Sequence, residues 1–324
     1  MDRDRREVLY LSHEDVLACG LAPGEITTAV RRIFLAKAHG SAHTGRKLSL
    51  PVDKAVSFSG KGGVDIDSGF AVMKWYGYVP GNAPCGLPDF NPILILSTIE
   101  SGLPLAIMDG HWLSAFRTAS ITCVAAGLLA DPAATTIGFV ACGMQASAHL
   151  DALKEQFGIR RITAFSRRRQ SAERFAATAR QHGFDADVAE DPRQAVEDHD
   201  IVISSIPLGS DRTKFLDAHW IRPGGFASMV DLGYAWDRDS LRALGVVVTD
   251  ELDPATRLPT EALNYDGEYT AELSELVAGR AMPATAAGSR KALIFGGTGL
   301  ADTAAAIAVY RRAVERRIGR LLPM

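Results

Sequence analysis

The turn ACGMQA at residues 141–146 has residue types that could bind a phosphate group. It follows the apolar segment TTIGFVA and precedes the amphipathic pattern MQASAHLDALKEQF, so we expect a strand, a turn and a helix in that order. Gly143 would let the backbone approach a pyrophosphate at the helix N-terminus, where free N–H groups and the positive end of the helix dipole attract anions. The small Ala146 would let the helix pack closely on the strand.

This turn departs from the usual fingerprint at Ala141, which stands where dinucleotide-binding turns carry their first glycine. We expect the alanine to be tolerated with a negative φ. Met144 and Gln145 complete the turn. The turn predicts a dinucleotide site, and the alternative is a tight strand-to-helix turn without a ligand.

A basic run follows the next predicted strand, RITAFS. At this place an acidic residue would normally hold the ribose hydroxyls of NAD, but residues 166–169 are Ser-Arg-Arg-Arg. The guanidinium groups of Arg167 and Arg168 suit a 2′-phosphate, and the hydroxyl of Ser166 can hydrogen-bond one. The run favours NADP(H), with NAD(H) possible. A solvated basic start of a surface helix is the alternative.

Two basic residues interrupt apolar segments in the first half of the chain. Lys74 lies in FAVMKWYGYVPGN and Arg117 in LSAFRTASITCVAA. Burying an unpaired guanidinium is costly, so Arg117 should face either a substrate carboxylate or an internal aspartate such as Asp109. On a strand, Lys74 could lie on the buried or on the solvent face.

The order of apolar segments predicts two domains. From residue 135 onward, strands and amphipathic helices alternate at the spacing of βαβ units, which indicates a doubly wound parallel sheet of the α/β class. The first 120 residues combine a predicted helix over 23–39 with β segments over 71–78 and 93–97, which is an α+β pattern. After Leu258 the pattern becomes helical, and a long helix over 301–317 is expected to end the chain.

Composition narrows the function classes. A chain of 324 residues with 47% hydrophobic and 23% charged residues is typical of a globular protein with two domains. The net charge of -3 argues against a nucleic-acid partner. The charged N-terminus and the lack of an apolar run of about 18 residues argue against a signal peptide and a membrane span, so a cytoplasmic location is expected. The four cysteines lie far apart, which predicts free thiols and no metal site.

Taken together, these stretches resemble the ornithine cyclodeaminase and mu-crystallin family over the whole chain. The matching stretches are KWYGYVPGN, ESGLPLAIMDG with LSAFRTA, ACGMQASAH, DIVISSIP, MVDLG and FGGTGLADTAAAIAVYRRA. The resemblance implies a Rossmann domain over 121–299. It also implies an α+β domain over 1–120 and 300–324 that binds substrate and forms a homodimer.

The resemblance further implies an NAD(P)-dependent oxidoreductase that acts on a small amino acid or its imine, as an imino-acid or ketimine reductase or an amino-acid dehydrogenase. A cyclodeaminase of the ornithine type, which recycles its NAD, is one alternative. A protein that binds NADPH without catalysis is the other.

The resemblance also assigns individual residues. The α-carboxylate contacts are Lys47, Lys74 and Arg117, and Asp302 matches an acidic position near the active site. Lys74 and Asp231 are the catalytic candidates, although the position at which cyclodeaminases place their carboxylate aligns closer to Tyr234. Thr118 and Ser205 join the turn and the basic run as cofactor residues, and Arg167 matches a basic residue that accompanies NADPH. His111 and Trp112 are expected either in the wall of the substrate pocket or in packing.

Overall fold

The computed structural model describes residues 7–207, 214–253, 255–259, 262–281, 286 and 288–324. The chain divides into two compact units. Unit 1 comprises Met1–Arg117 and Thr298–Met324, and unit 2 comprises Thr118–Gly297. From the sequence, the boundaries between the two domains were predicted at residues 120 and 300.

Unit 1 is an α+β unit built on a mixed eight-stranded sheet. The strand order is β16-β1-β7-β6-β5-β4-β2, and β3 pairs with β4. Within it, β1 runs parallel to β7 and the other pairs are antiparallel. The elements are β1 (Glu7–Leu11), α1 (His13–Ala18), α2 (Pro23–Ala38), β2 (Ala42–Thr44), β3 (Leu48–Pro51), β4 (Ser57–Asp65), β5 (Phe70–Tyr78), β6 (Phe90–Thr98), β7 (Pro104–Asp109), the start of α3 (His111–Leu129), α7 (Gly299–Arg316) and β16 (Arg320–Pro323).

Helix α7 packs on one face of this sheet because small residues allow a close approach. A Cβ on Gly299 would collide with the backbone carbonyl of Gly62 on β4. A Cβ on Gly63 would meet the hydroxyl of Thr303. The first turn of α7 therefore lies directly against β4, and this fixes the position of Asp302 in unit 1.

Unit 2 is a doubly wound parallel sheet, which confirms the predicted fold class. The strand order is β10-β9-β8-β11-β12-β15-β13-β14, with every pair parallel. The order reverses between β8 and β11, and in such sheets ligands bind outside the carboxyl ends of the strands at this point. The elements are the rest of α3, β8 (Thr136–Val140), α4 (Met144–Gln156), β9 (Arg161–Phe165), α5 (Arg169–Gln181), β10 (Asp185–Val188), β11 (Ile201–Ser204), β12 (Phe226–Met229), β13 (Val246–Thr249), β14 (Ala271–Glu272), α6 (Leu273–Val277) and β15 (Lys291–Ile294).

Two expectations for the C-terminal part were wrong. Between Leu258 and α7, the described residues form β14, β15 and only a short helix, α6. The chain ends in β16 and not in the long helix, because Arg317 turns the backbone into the left-handed region (φ 56°) and β16 then pairs with β1. Strand pairing of this kind depends on distant residues and cannot be read from helix propensity.

Helix α3 is more apolar than was expected from the sequence. By length and composition it could cross a membrane, but 72% of its most apolar window is buried inside the protein. Such burial is typical of a core helix.

Candidate functional site

The turn after β8 has the geometry of an anion-binding turn. Gly143 precedes α4 as its N-cap residue and provides no side-chain cap, and the first turn of α4 has no acidic residue. A Cβ built on Gly143 would meet no atom within 4 Å. The turn therefore leaves open space beside a helix N-terminus whose N–H groups and dipole favour a phosphate.

Ala141 adopts a left-handed conformation with φ 72°, so the expected negative φ was wrong. The position keeps the conformation that suits glycine, which costs an alanine roughly 1–2 kcal/mol. Local hydrogen bonds hold it there. The Ala141 amide donates to the carbonyl of Phe165 (2.8 Å), and the hydroxyl of Ser205 donates to the carbonyl of Ala141 (3.4 Å).

A cavity of about 200 Å³ opens beside this turn in unit 2. Its wall combines residues 140–143, residues 165–168 and residues 205–207, together with Ser171 and Phe215. These include six predicted cofactor residues, namely Ala141, Gly143, Ser166, Arg167, Arg168 and Ser205. None of the described residues that line the cavity is acidic.

The arginines of the basic run differ in their partners. Arg169 is paired with Glu173 at 2.9 Å and with Glu190 at 3.4 Å. Arg167 and Arg168 are exposed and form no ion pair with any residue that the structure describes. Their guanidinium groups are therefore available to an anion in the cavity.

The other predicted cofactor residues do not line the cavity. Thr118 is buried on α3 and Ala146 is buried in the first turn of α4, where it allows close packing. Met144 is 53% exposed. Gln145 is half-buried, and its Oε1 is buried without a hydrogen-bond partner in the described part of the chain.

Unit 1 contains a buried charge cluster around Asp302. Lys74 is 1% exposed, and its Nζ donates to Asp302 Oδ1 at 2.8 Å. Arg117 Nε lies 2.9 Å from the same oxygen, as an ion pair without hydrogen-bond geometry. The structure thus brings three predicted substrate residues together from β5, α3 and α7. It also places Lys74 on the buried face of the strand.

Lys47 belongs to the same cluster. The ring of Tyr76 lies below both lysines, with Lys47 Nζ 5.7 Å and Lys74 Nζ 5.6 Å from its centre. The positive charge of Lys47 is close enough to disfavour the charged form of Lys74. All four residues predicted to bind the substrate therefore lie at one place in unit 1.

A further basic residue of the cluster, Lys61, was not predicted from the sequence. It lies directly opposite Lys74 in the β4–β5 register and is 8% exposed. Its charge helps to stabilise the carboxylate of Asp302. The alternation of SFSGKGGVD, read together with that of β5, could have placed Lys61 on the face of Lys74.

The charges of the cluster shift the pKa values of its members. Burial and the neighbouring Arg117 lower the pKa of Lys74 to about 8, against the opposing effect of Asp302. Burial alone would raise the pKa of Asp302, but Arg117 and Lys74 lower it, so this carboxylate is ionised at neutral pH.

The cluster also has unused hydrogen-bonding capacity. Arg117 Nη1 and Asp302 Oδ2 are both buried without a hydrogen-bond partner among the described residues. Three basic side chains, Arg117, Lys74 and Lys61, act on the single carboxylate of Asp302, and Lys47 adds a fourth positive charge near Lys74. A buried cluster with excess positive charge and an unpartnered guanidinium N–H is a favourable place for an anion.

Asp231 lies just after β12 in unit 2 and is 1% exposed. Its Oδ1 accepts hydrogen bonds from Ser204 Oγ (3.1 Å) and Gly233 N (3.2 Å), and its Oδ2 accepts one from Ile206 N (3.4 Å). Burial raises its pKa to about 6, although these bonds favour the charged form. The carboxylate ties the ends of β11 and β12 together, and its catalytic role stays a prediction.

Asp109, the internal partner considered for Arg117, is not that partner. Its carboxylate accepts hydrogen bonds from His13 and His111. The internal anion of Arg117 is Asp302. Trp112 stacks on Phe116 with ring centres 4.7 Å apart, which is a packing role.

Comparison with known proteins shows the family to which this chain belongs. The sequence profile of the ornithine cyclodeaminase/mu-crystallin family matches residues 27–317. The alanine dehydrogenase of Archaeoglobus fulgidus is 27% identical over 331 aligned positions, which cover 97% of each protein. The ketimine reductase mu-crystallin of Mus musculus is 27% identical over 72% of this chain and 73% of its own length. A solved archaeal alanine dehydrogenase, described as a dimer with bound NAD, matches with a TM-score of 0.86 and 25% identity over 98% of this chain and 100% of that one.

Proposed function

Because the chain belongs to the ornithine cyclodeaminase/mu-crystallin family, we propose that it is an NAD(P)-dependent oxidoreductase that interconverts a small α-amino acid and its α-imine. The observation that supports this most directly is the buried cluster of Lys74, Arg117 and Asp302. The relatives of this chain include an alanine dehydrogenase and a ketimine reductase.

The cluster in unit 1 is suited to hold an α-carboxylate. The unpartnered Nη1 of Arg117 can donate to one carboxylate oxygen, and Lys47 and Lys74 add positive charge. Asp302 fixes the orientation of both Arg117 and Lys74 before the substrate arrives. Because these side chains are already ordered, binding of the substrate requires little free energy for ordering them.

The turn in unit 2 fits the pyrophosphate of a dinucleotide. The open space at Gly143 and the uncapped N-terminus of α4 could hold the phosphates, with Ser205 at the neighbouring strand end. A bound nicotinamide supplies or accepts the hydride of the reaction.

Within this function we favour NADP(H) over NAD(H). The cavity has Ser166, Arg167 and Arg168 where NAD-binding sites carry an acidic residue, and no acidic side chain lines it in the part of the chain that the structure describes. Two arginines without an internal ion pair are suited to a 2′-phosphate.

An absorbance assay tests the proposed function. The purified protein is incubated with NADPH or NADH, either with pyruvate plus methylamine or with pyrroline-2-carboxylate. Loss of reduced-nicotinamide absorbance, faster with NADPH, is the expected result. Proline formed from ornithine without net change of the nucleotide would show a cyclodeaminase instead. Absence of both reactions would favour a binding protein without catalysis.

Affinity for the imino acid is expected to fall above about pH 8. Lys74 has a pKa of about 8 in the free protein, and only its ammonium form attracts the substrate carboxylate. KM should therefore rise as the pH passes through this value, which steady-state kinetics on both sides of it will measure. A Lys74→Arg variant, whose guanidinium stays charged, should lose this pH dependence. A KM of the unaltered protein that does not change with pH would contradict the assignment.

We also propose a homodimer that forms through the outer face of the sheet in unit 1. This face, opposite to that of Lys74, exposes several apolar side chains, namely Leu48, Leu50, Phe58, Met73 and Ile93. Contiguous exposed apolar side chains on a sheet typically mark a protein interface. The solved archaeal relative is described as a dimer.

A Met73→Asp variant is expected to be monomeric at concentrations at which the unaltered protein is a dimer. Met73 is 49% exposed in the middle of β5, and a carboxylate there would have to be desolvated on association. Sedimentation velocity measures the change. Leu17→Asp is the matched control, because Leu17 is 47% exposed on α1, outside this face. A dimer that survives Met73→Asp would exclude the proposed surface.

A further inference from the structure

Three lysines form a row across one face of the sheet in unit 1. Lys61 on β4 lies directly opposite Lys74 on β5. On the other side of β4, Leu48 of β3 pairs with Gly60, and the same antiparallel register continued by one residue puts Lys47 beside Lys61. Residues that lie directly opposite each other in an antiparallel pair point to the same face of the sheet. We call Lys47, Lys61 and Lys74 the lysine row.

The side chains of the lysine row share the face that carries Asp302. Tyr76 follows Lys74 by two residues on β5, so its ring lies on the same face, and the ammonium groups of Lys47 and Lys74 are 5.7 and 5.6 Å from its centre. Lys74 donates a hydrogen bond to Asp302, and the charge of Lys61 acts on the same carboxylate. The contacts therefore agree with the strand register.

The lysine row is unfavourable in the absence of an anion. Like charges directly opposite each other on neighbouring strands destabilise a sheet. Lys61 is 8% exposed and Lys74 is 1% exposed, so water screens their repulsion poorly. Such an arrangement is stable only beside negative charge that offsets the cost of burying the ammonium groups.

The carboxylate of Asp302 compensates only part of this charge. Arg117 adds a fourth positive charge to those of the lysine row, and Asp302 is the acidic group that acts on Lys74 most strongly among the described residues. Asp65, four residues after Lys61 on the same face of β4, is already paired with Arg32. The cluster therefore has a formal excess of three positive charges.

A substrate with a single carboxylate leaves most of this excess in place. Its α-carboxylate can accept hydrogen bonds from Arg117, whose Nη1 is buried without a partner among the described residues, and from the neighbouring Lys74. One negative charge is then added where Arg117 and Lys74 meet. Lys61 and Lys47, farther along the row, keep two positive charges without an anion.

The spacing of the row indicates how the negative charge of the ligand is distributed. Neighbouring strands lie about 4.8 Å apart, so the backbone positions of the row extend over two such spacings. Two carboxylates separated by two or three carbon atoms lie about one strand spacing apart. A compact dianion such as phosphate has all its charge at one point and leaves one end of the row unoccupied. The row therefore favours two separate carboxylates.

We propose that the substrate is a short α-imino dicarboxylic acid, whose second carboxylate binds to Lys61 and Lys47. The proposal rests on the proposed function and specifies its substrate class. Arg117 and Lys74 hold the α-carboxylate, and the second carboxylate lies one or two methylene groups beyond the imine carbon. Lys61 is then the residue that selects an acidic side chain over an apolar one of the same length.

A comparison of matched oxo acids tests the proposal. The purified protein is assayed with NADPH, methylamine and either 2-oxoglutarate or 2-oxohexanoate, in which an ethyl group replaces the second carboxylate. Oxaloacetate and 2-oxopentanoate form the corresponding shorter pair. We expect kcat/KM to be roughly 10- to 100-fold higher for the dicarboxylate of at least one pair, since hydrogen bonds between charged groups are among the stronger ones.

A Lys61→Met variant separates recognition of the second carboxylate from that of the first. Methionine has a similar length and no charge, so the ratio of the two kcat/KM values should fall to about one. Lys61→Arg keeps the positive charge and should keep a preference for the dicarboxylate. The matched control is Lys54→Met, because Lys54 is exposed between β3 and β4, outside the row. It should keep the ratio of the unaltered protein.

A binding measurement without nucleotide or turnover provides a second readout. Isothermal titration calorimetry compares L-glutamate with L-norleucine, which differ in the same way as the longer pair of oxo acids. Glutamate should bind at least about 10-fold more tightly, and Lys61→Met should abolish this difference.

Equal kcat/KM values for both members of each pair would overturn the proposal. A preference for the dicarboxylate that Lys61→Met leaves intact would also overturn it, because the second carboxylate would then bind elsewhere. Inorganic phosphate that competes with glutamate and binds more tightly would show a site for a compact dianion instead. If the unaltered protein reduces no imine, the proposed function fails, and the calorimetric comparison alone then decides whether the lysine row binds a second carboxylate.

Discussion

Replacement of Arg117 by glutamine is expected to lower kcat/KM for the imino acid roughly 100- to 1,000-fold, since removing one partner of a buried charge pair costs about 2–5 kcal/mol. Arg117 is the side chain of the cluster that has a buried N–H group without a partner and an ion pair that fixes its position. Its loss removes the donor to the substrate carboxylate. It also leaves the negative charge of Asp302 with one fewer positive neighbour. Steady-state kinetics with pyrroline-2-carboxylate measure the effect.

The conservative Arg117→Lys variant should recover only part of this loss, because an ammonium cannot reproduce the fork of two N–H groups. The control variant is Arg31→Gln, on the exposed side of α2. Both variants of Arg117 should still bind NADPH, since the phosphate turn belongs to unit 2. A kcat/KM of Arg117→Gln within a few-fold of that of the unaltered protein would show that the carboxylate binds elsewhere.

The double variant Arg167→Ala, Arg168→Ala is expected to weaken NADPH binding by about 100-fold and to leave NADH binding nearly unchanged. A hydrogen bond to a charged group contributes about 1.5–3 kcal/mol, and we take the lower end for each arginine because both are exposed. Fluorescence titration with each nucleotide measures the two dissociation constants. In the unaltered protein, the difference between the dissociation constants for NADPH and NADH should also become smaller at high salt, where exposed charges are screened.

Arg169→Ala provides a matched control from the same run. This arginine is already paired with Glu173 and Glu190, so its removal should change the affinity for NADPH little. An unaltered protein that binds NADH more tightly than NADPH would contradict the assignment of the basic run. The double variant would contradict it too if it kept its preference for NADPH.

The α/β fold of unit 2 could be predicted from the sequence because its signals are local. Each βα segment has its own apolar strand, turn and amphipathic helix, and the turn at Gly143 lies where the pattern put it. The conformation of Ala141 was missed, since a positive φ at a non-glycine residue depends on the hydrogen bonds of Phe165 and Ser205 from neighbouring strands.

The charge cluster of unit 1 could not be derived from local patterns. Lys74 and Asp302 are 228 residues apart in the chain, and only the family resemblance predicted that they act at one site. Lys61 was missed because the alternation of β4 alone does not show which of its faces is shared with Lys74, whereas the pairing of β4 with β5 does. The contact of His13 with Asp109 required the parallel register of β1 and β7, which the sequence does not contain as a motif.

The most direct test of the proposed activity follows a labelled hydrogen. The protein is incubated with NADPH deuterated at both C4 positions and pyrroline-2-carboxylate, and the product is analysed by mass spectrometry. Direct hydride transfer to the imine carbon predicts proline with one deuterium at Cα, formed in proportion to the nucleotide oxidised. Proline without deuterium, or nucleotide oxidation without any amino acid product, would contradict direct hydride transfer to the imine carbon.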